Sequence, residues 1–268
     1  MDRTQLNDYI RQELDAFPCQ SALLMADAET GEVLHDVRSH TRVVSASTIK
    51  VAILYTALEL CGQGKLALDQ RVVIPEDQIC DDTEVFEPGN RCAEGYRLWE
   101  LLYWMIVESD NTATNAVIEL VGYDAVNAWS AAHGLPDTIL QRKMLDWDAI
   151  AAGRNNYTSP ADQCRLYRLL YKKEILTEEL RAVALDFLSR QRYLDCLLRY
   201  IPDPITVAHK GGGLDYLNHD AGLFLLNENP YFLGIFTWDG PSPEGDSRQK
   251  QLIGRLSKAI YETYHGGN

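Results

Sequence analysis

Apolar residues recur at helical spacing over residues 4–17, with Leu6, Tyr9, Ile10 and Leu14 on one side, which predicts an amphipathic helix. Residues 21–27 and 32–36 then flank Glu29-Thr30-Gly31, the pattern of two strands around a short glycine-containing turn. Residues 48–61 are apolar nearly all round and predict a buried helix, ended by Gly62-Gln63-Gly64. Further helices are expected over 96–107, 112–121, 124–133, 160–171 and 178–189, while 142–158 shows no clear period and is long enough to suspect a function. Beyond Pro202 the pattern returns to strands. One covers 205–210 and is stopped by Gly211-Gly212-Gly213; two more, 221–226 and 231–238, are joined by Asn227-Glu228-Asn229-Pro230. A last helix is expected from about Asp246 to Tyr264.

Strands at both ends with helices between them point to one sheet built from both termini and a helical lobe inserted in the middle. Residues 1–40 together with 200–268 would form the first lobe and 41–199 the second. At 268 residues the chain can bury a full core, and 46% apolar with 24% charged residues is the composition of an ordinary globule. A formal charge of −14 argues against a nucleic-acid binder, though local lysines can still override it for a small anion. The first residues are polar with no apolar signal core, and no window approaches a membrane span. As written, the protein is expected to be cytoplasmic, or exported if a leader has been removed. The six cysteines lack metal-type spacing, and Cys80 and Cys92, which bracket an acidic loop, are candidates for pairing in an oxidising compartment.

Candidate chemistry begins at Ser47-Thr48-Ile49-Lys50. On a helix starting here Lys50 lies on the face of Ser47 one turn on, where a lysine of lowered pKa could serve as base to a serine nucleophile. The helix N-terminus would also place backbone N–H groups where an oxyanion develops. Taken alone, Ser45 or Ser47 is more simply a helix cap with Lys50 facing water. Ser109-Asp110-Asn111 lies where one helix ends and the next begins, again readable as capping or as a proton relay with a substrate-binding amide. Lys210-Gly211-Gly212-Gly213 is either a strand end with a flexible turn or a cation beside a cleft whose glycines admit a substrate backbone.

In that order the three segments resemble the signature elements of class A β-lactamases and penicillin-binding proteins. The run Ser109-Asp110-Asn111-Thr112-Ala113-Thr114-Asn115 is especially close to the family pattern. The first two motifs lie roughly 60 residues apart and the third roughly 100 further on, which suits the family. The resemblance implies an α+β fold with an antiparallel sheet of about five strands, forming an α/β sandwich lobe, and an all-α lobe. It also implies an acyl-enzyme at Ser47, with Lys50 taking the serine proton and Ser109 passing a proton to the leaving nitrogen, aided by Lys210. Asn111 would hold the substrate's side-chain amide, and Gly211, Gly212 and Gly213 would line the substrate, the N–H groups of Ser47 and Gly213 forming the oxyanion hole.

Two departures stand out. The class A enzymes place a glutamate two residues beyond a loop arginine to activate the water that releases the acyl group. Arg142 matches the arginine and Thr158-Ser159-Pro160 the loop's end, which puts Met144 at the glutamate position. On that register a loop asparagine becomes Asp148, and the aspartate partner of the arginine becomes Tyr157. Asp146 and Asp148 are the carboxylates left in the loop, as substitute bases or simply as solvated residues. Gly211 replaces the usual threonine or serine whose hydroxyl contacts the substrate carboxylate. No arginine stands on the following strand, and Asp220 lies near that region instead. Tyr216, Asn218 and His219 are close enough in sequence to shape specificity, His219 reading as a loop histidine.

The expected protein is a serine hydrolase acylated at Ser47 by β-lactams or related amides, with deacylation in doubt. An amidase, esterase or peptidase on another acyl substrate, and a β-lactam-binding protein that does not turn over, remain the alternatives. No metal or organic cofactor is expected. The expected partner is a small acyl substrate, with no nucleic acid or membrane, and the expected state is a monomer.

Overall fold

A computed structural model describes residues 1–202, 204–241 and 247–265. Helix α1 (Arg3–Ala16) is closed at its start by a reciprocal pair, Asp2 accepting from Gln5 N and the Gln5 side chain accepting from Asp2 N. It leads into the hairpin β1 (Gln20–Asp27) and β2 (Val33–Val37), then the short strand β3 (Val43–Val44). The middle of the chain holds α2 (Lys50–Gly62), β4 (Arg71–Val72), β5 (Tyr96–Arg97), α3 (Leu98–Val107), α4 (Asn111–Val121) and α5 (Tyr123–Ala132). The aperiodic segment carries a short helix, α6 (Trp147–Ala151), and β6 (Tyr157–Thr158), which pairs with β3. Helices α7 (Pro160–Tyr171) and α8 (Glu178–Ser189) precede three strands, β7 (Val207–Leu214), β8 (Leu217–Phe224) and β9 (Tyr231–Trp238). The last helix, α9, is Ser247–His265; Asp246, its expected start, lies outside the described residues.

The five long strands form one antiparallel sheet in the order β2-β1-β9-β8-β7, so both termini contribute and β7 is an edge. Side chains alternate across a strand, and here the alternation divides two cores. Leu23 and Met25 of β1, with Leu233 and Ile235 of β9, pack with Leu6, Ile10 and Leu14 of α1 and Leu252, Ile253 and Leu256 of α9. Ala22, Leu24 and Ala26, with Phe232 and Phe236, face the larger core built on α2, α3, α4 and α7. All five strands of the sheet fall within residues 1–40 and 200–268, and α7, from the middle of the chain, packs on three of them. Helix α2 is buried from Lys50 to Leu58 because its neighbours enclose it on every side.

Three local expectations are corrected. First, β7 does not stop at Lys210: the glycines pair with β8 as Gly211–Asp220, Gly212–His219 and Gly213–Asn218, and the strand runs on to Leu214. Glycine weakens a strand but leaves its ladder N–H and C=O intact. Secondly, β8 therefore begins at Leu217, so Asn218, His219 and Asp220 are buried strand residues and His219 is not a loop histidine. Thirdly, Cys80 and Cys92 are free thiols. Cys80 is tied elsewhere, its N–H donating to Thr112 Oγ1 and its Sγ accepting from Asn115 Nδ2, while Cys92 is exposed.

Candidate active site

Ser47 lies in a tight 3-10 turn, Ala46–Ile49, that runs directly into α2, so α2 starts at Lys50 rather than Thr48. The turn is fastened from behind by Ser45 N donating to Asn156 O at 2.9 Å and by Thr48 Oγ1 donating to Ser45 O at 2.7 Å. In front, β7 runs against it. A Cβ placed on Gly212 would lie 2.7 Å from Ser47 N and 3.0 Å from the Ala46 Cβ. Only glycine lets the strand edge come this close. Gly212→Ala is therefore expected to push β7 off the Ser47 turn, lowering stability by about 1–3 kcal/mol. The same variant should slow reaction at Ser47 out of proportion to the melting shift. Thermal unfolding and nucleophile-labelling rates measured together check this.

Lys50 is fully buried beneath the turn, and its Nζ reaches Ser109 O at 2.6 Å, Ser109 Oγ at 3.1 Å and Asn111 Oδ1 at 2.9 Å. Burial holds its ammonium well below the usual lysine range, and the charge of Lys210 lowers it further. Asp110 and Asp82 oppose this. Ser109 sits between α3 and α4 at φ 55°, the left-handed region, a strain of order 1–3 kcal/mol that its two contacts with Lys50 hold in place. Asp110 caps α4 through Ala113 N and accepts from Thr83 Oγ1, so the middle residue of the motif is structural. Asn111 opens α4; its Oδ1 takes Lys50, and its Nδ2 donates to Asp82 Oδ2 at 2.7 Å.

Lys210 is also fully buried, donating to Gly211 O at 2.7 Å, and burial lowers its pKa to about 7 although Asp220 pulls the other way. Asp220 lies across the ladder from Gly211, its carboxylate accepting from His209 Nδ1 at 3.0 Å and from Leu197 N at 3.2 Å. His219 is locked as a neutral ring, Nε2 donating to Val44 O and Nδ1 accepting from Thr237 N, with burial lowering its pKa to about 4. It ties β8 to β3 behind Ser47.

In the aperiodic loop, Arg142 Nε donates to Asn155 Oδ1 in place of a carboxylate partner. Met144 is buried, and its backbone is clamped at both groups by one side chain: Met144 N donates to Asn115 Oδ1 at 2.7 Å and Asn115 Nδ2 donates to Met144 O at 3.2 Å. Asn115 is one helical turn beyond Asn111 on α4, which sets Met144 beside the same helix face. Asp146 is spent as the cap of α6, accepting from Ala149 N, and Asp148 is exposed in the first turn of that helix. Neither lines the cleft.

That cleft, about 270 Å³, is lined by Ser47, Ser109, Asn111, Lys210 and the three glycines. Four residues from three distant segments thus meet at one concavity, with the desolvated Lys210 in its wall and the buried Lys50 held behind it against Ser109 and Asn111. The pattern suits acyl transfer. The sequence reading assigned no part to Asp82 or Asn115. Asn115 was accessible to it in principle, since i, i+4 spacing from Asn111 puts the two on one face. Asp82 was not, because its loop has no period to place it.

The sequence matches the model of the beta-lactamase enzyme family over residues 5–264. Beta-lactamase BRO-1 of Moraxella catarrhalis is 24% identical over 240 residues, covering 87% of this chain and 76% of that protein. Among solved structures, a leucine-to-glutamate variant of PBP-A, an acyl-enzyme complex with penicillin G, superposes with a TM-score of 0.87 at 26% identity, covering 98% and 97% of the two chains. A beta-lactamase from Sphaerobacter thermophilus gives a TM-score of 0.85 at 25% identity with the same coverages. Matched along nearly its whole length by the family model, the chain belongs to the beta-lactamase enzyme family.

Proposed function

We propose that this member of the family is a serine hydrolase of cyclic amides that acylates readily at Ser47 and deacylates slowly. Ser47 Oγ attacks the carbonyl carbon while its proton passes to Lys50. The carbonyl oxygen, now negative, is met by the N–H groups of Ser47 and Gly213. The C–N bond then breaks as Ser109 delivers a proton to the departing nitrogen, and an ester to Ser47 remains. Hydrolysis of that ester needs a base to take a proton from water, and Met144 supplies none.

The observation that carries this reading is Lys50. A lysine enclosed between Ser109 and Asn111, and destabilised as an ammonium by burial and by Lys210, is available as a free base. Lys50 Nζ bonds to Ser109 and Asn111 rather than to Ser47 Oγ; a contact with the nucleophile often tightens only once substrate is bound. A second reading, an amidase or esterase acting on another acyl compound, is favoured by one feature. Gly211 offers no hydroxyl to a substrate carboxylate, and Asp220 stands opposite it. Intact mass measured over time after mixing with a penicillin tests the proposal. An adduct that forms fast and persists for hours supports it. One that forms and clears with product overturns slow deacylation, and no adduct overturns β-lactams as substrates.

The pH dependence follows from the two lysines. Acylation requires Lys50 without its proton and Lys210 with it, so the rate should fall as Lys210 deprotonates at about 7. Arginine stays protonated throughout this range. Lys210→Arg is therefore expected to lower the maximal rate yet move the alkaline fall upward by a unit or more, read from second-order acylation rates across the neutral range.

A further inference from the structure

We infer that the cleft selects acyl substrates carrying a positive charge beside the side-chain carbonyl, and that Asp82 and Glu84 read it. The inference rests on the acylation of Ser47 proposed above. Carboxylates outnumber lysines in the cleft wall, but most are already answered. Glu108 is paired with Arg192, Asp195 with Lys250, and Asp220 with His209, while Asp110 caps α4. Asp82 and Glu84 differ. Both are exposed at the cleft, and Glu84 makes no ion pair among the described residues. Asp82 has as its partner the one group a substrate needs, the Nδ2 of Asn111.

That contact sets a condition on the substrate. Asn111 Oδ1 is committed to Lys50 and one Nδ2 hydrogen to Asp82, so an incoming side-chain carbonyl accepts from the remaining Nδ2 hydrogen, directly beside the Asp82 carboxylate. The group next to that carbonyl is thereby brought up against a charged carboxylate that stays in place. A protonated amine on the carbon next to the carbonyl supplies a charged donor to Asp82 at the right place and adds attraction to Glu84. A carboxylate there faces two like charges, in a protein whose formal charge is already −14.

The test uses three penicillins that differ only at the carbon next to the side-chain carbonyl, which carries hydrogen, an ammonium or a carboxylate. Second-order rates of Ser47 acylation are read by mass at low and high salt, each divided by the compound's own rate of hydrolysis in alkali. The ammonium compound is expected to react fastest and the carboxylate slowest, about tenfold or more apart end to end at low salt, and the spread should shrink at high salt. In a combined Asp82→Asn, Glu84→Gln variant the spread should collapse, because the amide introduced in place of Asp82 can still accept from Asn111 but carries no charge. Equal rates for the three compounds on a protein that does acylate at Ser47, or a spread that survives in the double variant, overturn the inference and leave the mechanism standing. Failure of all three to acylate Ser47 overturns the mechanism, and the inference falls with it.

Discussion

Ser47→Ala is expected to abolish the penicillin-dependent gain in mass and to lower acylation about 10⁴-fold or more, leaving only background. The loss should be total because no second nucleophile can take the same position. Ser109, the other serine lining the cleft, is fixed by Lys50 at both its backbone oxygen and its Oγ. Stability should scarcely change, since Ser47 is half-buried and the turn is held by Ser45, Thr48 and Asn156 rather than by the Ser47 side chain. The measurement is intact mass over hours beside a thermal melt. A Ser47→Ala protein that still gains the full adduct at the parental rate would move the nucleophile elsewhere and sink the mechanism.

The second large effect is at Met144. Glutamate there should supply the missing base and shorten the life of the acyl-enzyme by about 10²–10⁴-fold, the usual worth of a positioned general base. The reason is positional. Asn115 holds the Met144 backbone from both sides, one turn of α4 beyond Asn111, so the new side chain enters an already fixed frame. Burial should raise the carboxyl's pKa, which suits a base working near neutrality but costs about 1–3 kcal/mol of stability. Met144→Gln separates chemistry from packing, being similar in size and without basicity; its adduct should persist as in the parent. Adduct decay by mass, with product measured alongside, checks the pair. If the glutamine variant clears its adduct as fast as the glutamate variant, loosening of the loop rather than base catalysis is responsible.

These two substitutions also divide the family's reaction in half. The first removes acylation, while the second restores hydrolysis. On the proposed mechanism, acylation at Ser47 without a loop carboxylate in the cleft would favour capture of the substrate over its turnover. Asp146 and Asp148 show how little a carboxylate in the right segment means by itself. One is used up in starting α6 and the other projects from its first turn, because a short helix inside a loop needs a cap more than the cleft needs a charge.

What the sequence determined by itself was whatever local periodicity and short-range spacing encode. The amphipathic α1, the buried α2, the hairpin β1–β2 and the order of elements were legible because each depends on residues within a turn or two of one another. So was the identity of Ser47, Lys50, Ser109, Asn111 and Lys210 as candidates, since three separated motifs in one order carry far more information than any one of them. The tertiary structure decided the rest. Gly211, Gly212 and Gly213 read as a stop signal, yet they continue a strand, because the partner β8 and the approach of Ser47 come from elsewhere in the chain. Likewise Asn218, His219 and Asp220 look like a polar loop until Val44, Thr237, His209 and Leu197 provide their partners. Asp82 meets Asn111 across 29 positions, and Met144 meets Asn115 across another 29. Hydrogen bonds between distant segments leave no period in the sequence. Their partners become neighbours only when the two cores have formed around the sheet.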